Sequence, residues 1–438
     1  MIPSSSILRK ACSVPSWSRQ VPLALRASAA QRAIARTNLL VCHLYLSPAA
    51  ATFSTTSSVR SANQAKMSLP ETVEAIAIDK TGDIDVLEKK KVPFPPHSPS
   101  NIVIQVRSAT VVLRIALIFA FEQVAYGGVN FIDTYYRKGL YPIKSFPQIL
   151  GMEASGTIVS LPTDSAVLND DEYKKRGFKP WVFRLTLTCI PSVPQNALGV
   201  HAEFASVPWS KVFPVPDNVS LLTAAAATLQ GLTAVTFLEE AYKVKPGDVV
   251  LIYTVAGGLG LLMAQLAKHA GATVIGTTST EEKAAVARQH GADHVIIYTK
   301  ENVVDRVLEL TNGEGVHVVY DGVGKDTFLD NFKLTRRKGT IVSVGNASGA
   351  VEPIAPLKLV EKNLALLRPT MANYIYTPEE ARYYGEKLFG YISSGVLKIN
   401  IHKQYPFTTQ GARDAHRDLT TKGGRTIGKL VYTIGGEA

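Results

Sequence analysis

The sequence has few cysteines and no long uninterrupted apolar run. Three cysteines occur in 438 residues, Cys12 and Cys42 near the N-terminus and Cys189 in the body of the chain. A single sulfur in the body excludes a disulfide framework and a thiolate zinc site. The longest apolar run, Val111 to Phe121, is interrupted by Arg114 and is too short to cross a bilayer. We therefore expect no disulfide, no cysteine-bound metal and no membrane span.

Acidic residues are absent from the first 70 residues, which carry eight Lys and Arg. Of the formal net charge of +11, this leaves +3 for the remainder, so the body has no electrostatic footprint for RNA. A segment rich in Arg, Ser and Ala and free of acids is typical of an organellar transit peptide. We predict a mitochondrial targeting leader over residues 1–66 and a matrix location, with initiation at Met67 giving a cytoplasmic form. The alternative is an N-terminal tail without targeting meaning.

Two kinds of hydrophobic pattern divide the rest of the chain. From Val73 to Val106, short alternating segments between Gly and Pro breaks predict a mainly β domain. From Asp248 onward, apolar strands alternate with helices over about a hundred residues, which predicts a doubly wound parallel sheet. We therefore predict an α/β protein with domains over residues 67–217 and 218–368. Residues 369–438 are predicted to return and complete the first domain.

A glycine-rich turn joins the predicted strand VVLIYT to the predicted helix GLLMAQLAKHAG. Gly257 allows the backbone to approach a pyrophosphate, and Gly260 lets the helix pack closely on the strand; the free amides at the helix start favour phosphate. Val255 stands where the usual fingerprint has its first glycine, and a tight turn in another α/β fold is the alternative. We predict that five residues bind the pyrophosphate: Ala256, Gly257, Gly258, Leu259 and Gly260.

The end of the second predicted strand indicates which dinucleotide binds. Sites for NAD place Asp or Glu there to bind the ribose 2′-hydroxyl, whereas this chain has GTTSTEEK. Thr277, Thr278 and Ser279 offer hydroxyls without a charge that repels a 2′-phosphate. Lys283 supplies a cation, and Tyr298 ends the next strand nearby. Glu281 and Glu282 oppose this interpretation unless they are simply first-turn residues that suit the helix dipole. The pattern favours NADPH over NADH.

Several strings together point to a known family. YGGVNFIDTYYRKGLYP (Tyr126 to Pro142), GMEASG, VVYDGVG, VSVGNASG and LRPT closely resemble the quinone oxidoreductase/ζ-crystallin family of medium-chain dehydrogenases/reductases. The resemblance runs from about Val73 to the C-terminus. It implies a GroES-like, mainly β catalytic domain, a Rossmann domain that binds NADPH, and a homodimer formed through the edge of the Rossmann sheet.

The resemblance also implies roles for individual residues. Zinc-dependent relatives carry a cysteine ligand at the position of Asn130 and a histidine at that of Met152, so the chain is expected to be zinc-free. Asn130, Tyr135 and Tyr141 are expected near the nicotinamide and the substrate, with the Tyr141 phenol as a proton donor. Ordinary packing is the alternative for both tyrosines. The other cleft residues implied are Gly322, Val344, Gly345, Ala347 and Arg368. For Arg368 the alternative is a domain-interface salt bridge.

Two apolar segments depart from the family pattern. Residues 107–125 stand where family members need a few residues, and residues 180–196 replace an expected Gly-Asp-Arg-Val turn and strand. Each segment ends near a glutamine, and we interpret both as translated intron remnants. Sequencing of the transcript tests this hypothesis.

Three functions follow as alternatives. The resemblance favours transfer of hydride or electrons from NADPH to a quinone. A second enzymatic interpretation is reduction of the double bond of an enoyl thioester or an alkenal in the same cleft. The third is a non-catalytic function in binding NADPH or RNA. The charge of the body gives no support to RNA binding.

Overall fold

The computed structural model describes residues 69–94, 98–105, 126–179, 184–188, 199–421 and 425–435. The predicted leader, all three cysteines and the segment 107–125 lie outside these ranges. The strands are β1 (Thr72–Ile78), β2 (Glu88–Pro93), β3 (Asn101–Gln105), β4 (Tyr126–Val129), β5 (Gln148–Ile149), β6 (Glu153–Ser160), β7 (Arg184–Thr188), β8 (Phe204–Pro208), β9 (Val212–Pro214), β10 (Val249–Ile252), β11 (Thr273–Thr278), β12 (His294–Ile297), β13 (Val316–Asp321), β14 (Thr335–Ser343), β15 (Ala365–Leu367), β16 (Ile401–Pro406) and β17 (Lys429–Thr433).

The helices connect these strands and cover the sheets. They are α1 (Phe131–Arg137), α2 (Ser165–Asn169), α3 (Asp171–Arg176), α4 (Leu221–Thr236), α5 (Gly258–His269), α6 (Glu281–Gln289), α7 (Val303–Leu310), α8 (Asn331–Leu334), α9 (Met371–Tyr374), α10 (Pro378–Ser393) and α11 (Thr409–Thr420).

Six strands form the predicted parallel sheet, in the order β12-β11-β10-β13-β14-β15. Numbered from β10, this is the order 3-2-1-4-5-6 of a Rossmann fold, which reverses between β10 and β13. Strand β10, VVLI, consists of apolar β-branched and leucine residues, as expected for a strand covered on both faces. The glycine-rich turn follows β10 directly and therefore lies beside the crevice where the strand order reverses.

The second large sheet has the order β16-β17-β4-β6-β3-β8, with β7 pairing with β6 and β9. Strand β17 pairs antiparallel with β4, so the C-terminal segment joins the sheet of the N-terminal domain. The mainly β architecture of that domain is as predicted. A smaller three-stranded sheet, β2-β1-β5, lies beside it.

The structure corrects one assignment for residues 369–438. Met371, Ile375, Leu388 and Leu397 are buried in the same apolar cluster as Val250 of β10. Helices α9 and α10 therefore pack into the core of the nucleotide-binding domain. The return to the first domain comes later, through β16, α11 and β17. Composition does not change at that point, because both parts are amphipathic helix and short strand.

The second departing segment contributes a strand. Its residues Arg184 to Thr188 form β7, which pairs along Glu153 to Thr157 of β6. The hydroxyl of Thr186 bonds to the Ala154 carbonyl at 3.0 Å and to the Thr228 hydroxyl at 2.7 Å. The expected strand at this place is thus present although the expected sequence is not. The rest of residues 180–196 lies outside the described ranges.

Helix α4 links the two sheets. It begins at the cap residue Ser220, whose hydroxyl accepts the N–H of Thr223, and continues into a π turn over Phe237–Ala241. Among the described residues, Leu221–Ala241 is apolar and long enough to cross a membrane, but 72% of it is buried inside the protein. Its apolar character is that of a core helix. Helix α4 presents one face to the space between the two sheets.

Gly428 should be intolerant of a side chain. Its φ of +86° disfavours L residues, and an added Cβ would lie 2.2 Å from the Asn400 carbonyl oxygen. We expect Gly428→Ala to lower the free energy of unfolding by about 2–5 kcal/mol, from left-handed strain plus overpacking. Gly247 has a φ of +85°, and a Cβ added there would meet nothing within 4 Å, so Gly247→Ala should cost only about 1–2 kcal/mol. Urea unfolding measures both, and equal costs would contradict the packing argument.

Candidate functional site

A cavity of about 800 Å³ lies between the two large sheets. Its walls come from the loop and helix after β4, from α4, from the turn after β10, and from the ends of β11, β13 and β14. Fifteen of the sixteen residues predicted for the site line it: Asn130, Tyr135, Tyr141, Ala256, Gly257, Gly258, Leu259, Gly260, Lys283, Tyr298, Gly322, Val344, Gly345, Ala347 and Arg368.

Thr277 is the exception: of the three hydroxyl residues predicted at this end of the cavity, it alone does not line it. It is 1% exposed, and its hydroxyl oxygen lies 3.4 Å from the backbone nitrogen of Thr254, on the turn after β10. The hydroxyls that line the cavity belong to the next two residues, Thr278 and Ser279. Successive side chains along a strand point to opposite faces, so a displacement of one residue separates a structural hydroxyl from a lining one.

The glycine-rich turn has the geometry that a pyrophosphate needs. Helix α5 begins at Gly258, and a Cβ on Gly260 would lie 2.5 Å from the carbonyl oxygen of Thr254, so the helix approaches the turn as closely as only glycine permits. Thr254 itself has a φ of +53°, an uncommon conformation for a β-branched residue and one found at functional sites. The N-terminal amides of α5 are free to bind an anion.

The end of the cavity beside β11 and α6 is lined by the hydroxyls of Thr278 and Ser279 and by the ammonium of Lys283. Lys283 Nζ lies 3.3 Å from Ser279 Oγ, and burial lowers the pKa of this ammonium. Of the two acids that opposed an NADPH site, Glu281 forms an ion pair with Arg288 at 2.7 Å, and Glu282 is exposed and does not line the cavity. The Glu281 carboxylate is therefore occupied elsewhere, and the end of the cavity suits a phosphate.

At the other end of the cavity, beside α1 and the loop after β14, a hydrogen bond joins the two domains. Tyr135 Oη accepts the backbone N–H of Asn346 at 3.1 Å, which joins α1 to the loop after β14. Burial raises the pKa of the Tyr135 phenol, which stays protonated. The Arg368 guanidinium donates to the carbonyls of Ser343 and Val344. Arg368 thus holds the backbone of the loop, and neither contact is a domain-interface salt bridge.

Three tyrosines form an aromatic wall. The rings of Tyr135 and Tyr141 meet edge to face at 5.4 Å between centroids, and Tyr136 meets Tyr141 at 5.5 Å in the same way. Such pairs are worth about 0.5–1.5 kcal/mol beyond area burial. The packing role and the lining role of Tyr141 therefore coexist. The wall continues with apolar residues: Phe131, Ile132, Met152, Leu229 and Phe237.

Asn130 belongs to a buried polar network. Its Nδ2 donates to the Gly128 carbonyl at 3.1 Å and to Glu153 Oε1 at 2.8 Å, and its Oδ1 accepts from Lys429 Nζ at 2.6 Å. Lys429 Nζ also lies 2.5 Å from Glu153 Oε1, and Glu153 Oε2 accepts the N–H of Leu229 at 2.6 Å. The Asn130 amide is therefore engaged within the protein, and its role is to shape the floor of the cavity.

Sequence reasoning missed Glu153 and Lys429 as functional residues. Both are almost fully buried, at 0% and 2% exposed. The available signal was a charged residue in each of two apolar strand sequences, GMEASG and GKLVYT, since isolated charges are rarely buried without a partner. Within the described ranges, no three His, Cys, Asp or Glu side chains come together as a metal site.

Three of the described histidines contact other parts of the protein. His201 is buried, its Nε2 lies 3.0 Å from the Gly128 carbonyl, and burial lowers its pKa to about 4, so it is neutral at neutral pH. His416 is buried with Nδ1 3.0 Å from Arg137 Nη1. His290 contacts the carbonyl of Val286 at the end of α6. None of these three lines the cavity.

Asp133 is a buried carboxyl directly behind Asn130. Its Oδ2 accepts the Asn130 N–H at 2.8 Å, and the residue is 0% exposed. Burial raises its pKa to about 7, against the lowering effects of that hydrogen bond and of Lys429. The folded protein therefore holds a proton on Asp133 at mildly acidic pH that the unfolded chain releases.

Comparison with known proteins gives matches over both domains. Residues 123–217 match the alcohol dehydrogenase GroES-like domain family, and residues 258–384 match the zinc-binding dehydrogenase family. A quinone oxidoreductase of Pseudomonas aeruginosa is 38% identical over 69% of this chain and 87% of its own length. A 2-haloacrylate reductase of a Burkholderia species is 36% identical over 69% and 87%. The crystal structure of Escherichia coli quinone oxidoreductase complexed with NADPH superposes with a TM-score of 0.69, at 32% identity, covering 82% of this chain and 99% of that one.

Asp133 predicts a pH dependence of stability. Its folded pKa of about 7 lies above the ordinary value of 3.8, so its unfavourable contribution is absent below pH 3.8 and grows as the pH rises towards 7. Relative to wild type, Asp133→Asn should gain about 2–4 kcal/mol between those limits, because the amide cannot ionise. Denaturant unfolding at several pH values measures the difference.

The matched control is Asp326→Asn, which replaces an exposed aspartate outside the cavity. Its stability relative to wild type should vary much less over the same range. An Asp133→Asn difference that stays flat with pH would show that Asp133 is ionised in the folded protein throughout.

Proposed function

Because the chain belongs to the quinone oxidoreductase family, which the 38% identity over most of a curated member's length establishes, we propose that it is an NADPH-dependent oxidoreductase that reduces quinones. The observation that carries the proposal is one continuous cavity with two different ends. A glycine-rich turn and a phosphate-compatible end fit a dinucleotide, and an aromatic, apolar end fits a flat ring.

The residues fit NADPH in three places. The α5 amides and Gly258 would hold the pyrophosphate, and Ser279, Lys283 and Tyr298 would hold the 2′-phosphate end. The loop clamped by Arg368 would border the nicotinamide. NADPH supplies the hydride, and the protein supplies orientation and exclusion of water.

The apolar end suits a quinone. Phe131, Met152 and Phe237 present no charge or strong donor, so an uncharged ring can replace water there at little cost. A quinone accepts hydride readily, which requires placement more than activation. The Tyr141 phenol lies in the same wall, where it can donate a proton to the reduced oxygen.

A second candidate reaction uses the same cavity. The similarity to a 2-haloacrylate reductase favours reduction of an activated carbon–carbon double bond as an alternative. Both reactions place negative charge on an acceptor oxygen, so the same floor and wall serve either. Only the acceptor, a quinone or an activated carbon–carbon double bond, distinguishes the two reactions.

Assembly and location complete the proposal. A homodimer would form at β15, the last strand of the six-stranded sheet, where Leu357 and Val360 are 77% and 63% exposed nearby. Sedimentation equilibrium of the wild type against a Leu357→Lys, Val360→Lys variant checks this. The acid-free residues 1–66 support import into the mitochondrial matrix, which an import assay with and without that segment checks.

Steady-state oxidation of NADPH and NADH by the protein from Met67 onward tests the function. With a naphthoquinone we expect turnover that exceeds that with a crotonyl thioester, a preference for NADPH, and no loss on adding a chelator. Lys283→Met should weaken NADPH binding about tenfold and leave NADH unchanged, because a charge-assisted hydrogen bond to phosphate is lost.

Lys300→Met is the control, since Lys300 is exposed in the same region but does not line the cavity. It should leave both nucleotides unaffected. Faster turnover with the thioester would favour the alternative reaction, and failure to oxidise NADPH with any acceptor would reject both.

A further inference from the structure

The two residues of the Lys429–Glu153 pair lie differently with respect to the cavity. Lys429 and Asn130 line the cavity, whereas Glu153 does not. The carboxylate lies behind the ammonium and is shared among Lys429, Asn130 Nδ2 and the Leu229 N–H. Lys429 is therefore the member of the pair on the cavity side, and its side chain is 2% exposed.

The ammonium has bonding capacity left. Of its three N–H groups, two are directed at Asn130 Oδ1 and Glu153 Oε1, at 2.6 and 2.5 Å, and the structure gives no third acceptor among the described residues. A buried ammonium gains stability from each hydrogen bond that replaces lost hydration. An acceptor oxygen in the cavity would supply the missing partner.

The position of Lys429 is tied to the dinucleotide turn. The preceding residue, Gly428, donates its N–H to the Ala256 carbonyl at 3.0 Å and forms a parallel bridge with Gly257. On the other side, Leu430 pairs with Val129 in the sheet of the first domain. The ammonium is thus held between the turn that binds a dinucleotide and the strand that precedes Asn130.

We propose that Lys429 is a further catalytic residue, whose ammonium contacts the acceptor oxygen on which negative charge forms. The inference rests on the proposed function. A hydride carries two electrons and one proton, so a neutral quinone that gains it becomes a hydroquinone monoanion. The proton that neutralises the anion comes from Tyr141 or water, and Lys429 keeps all of its protons. Its contribution is electrostatic, in a site shielded from water.

The test removes the charge without leaving its partner unpaired. Lys429→Met alone would bury an unpaired carboxylate, so the main variant is Lys429→Met with Glu153→Gln, in which the amide still accepts the Leu229 N–H. The control is Lys387→Met with Glu239→Gln. It removes an ion pair in which Nζ and Oε1 are 2.5 Å apart, and neither residue lines the cavity. Lys429→Arg retains the charge.

Two readouts separate catalysis from structure. In the double variant, kcat for quinone reduction should fall about a hundredfold to a thousandfold, the order seen for loss of an oxyanion donor. The Kd for NADPH, measured by fluorescence, should stay within about twofold, because the α5 amides, Ser279 and Lys283, which are proposed to hold the phosphates, are unchanged in this variant. The control variant should retain most of the wild-type kcat, and Lys429→Arg, which keeps the charge, should lose less kcat than the double variant.

The second readout needs no turnover. Para-nitrophenol, a phenol whose anion absorbs visible light, should bind to the wild type with a lowered pKa and to the double variant without that shift. Glu153→Gln alone should lower the bound phenol's pKa below the wild-type value, because the ammonium is then uncompensated. This opposite sign keeps the inference testable if the double variant fails to fold.

The outcomes distinguish the two proposals. Unchanged kcat and unchanged phenol pKa in a folded variant would overturn the role of Lys429 and leave quinone reduction standing. Absence of quinone reduction in the wild type would overturn the proposed function, while the phenol titration would still decide whether Lys429 stabilises an oxyanion in this cavity.

Discussion

The buried carboxylate of Glu153 is the constraint on which the site depends. It accepts hydrogen bonds from three elements: the loop after β4 through Asn130, the start of β17 through Lys429, and the middle of α4 through Leu229. Removing two charges from water costs several kcal/mol per ion unless every donor and acceptor is satisfied. The three elements must therefore meet in one arrangement, and that arrangement is the floor of the cavity.

From this floor the rest of the cleft follows. Gly428 extends the network to the dinucleotide turn through the Ala256 carbonyl, and Tyr135 joins the opposite side to the backbone of Asn346. Helix α4 packs against both sheets and carries Leu229, which takes part in the network, next to Gln230, which lines the turn. The domains are thus connected at the floor, the rim and the shared helix, so the acceptor end and the nucleotide end keep a fixed relation.

The features that could be predicted are those encoded locally. The turn after β10 is readable because strand, glycines and helix are contiguous, and the parallel sheet is readable from its alternation. Thr277, predicted together with Thr278 and Ser279, does not line the cavity, because the sequence does not fix which of three successive hydroxyl residues face it. The domain assignment of residues 371–397 is wrong because their amphipathic pattern fits either core. The Lys429–Glu153 pair joins residues 276 positions apart, and no local pattern reports such a contact.

The pair also bears on the positions where zinc-dependent relatives place their ligands. Where those relatives have a cysteine and a histidine, this chain has the uncharged Asn130 and Met152, and the next residue is Glu153. A buried carboxylate requires a cation partner, because the cost of an unpaired charge exceeds that of most single substitutions. Lys429 meets that requirement. The network around Glu153 therefore carries its own compensating charge, and the floor of the cavity is held together by side chains of this chain alone.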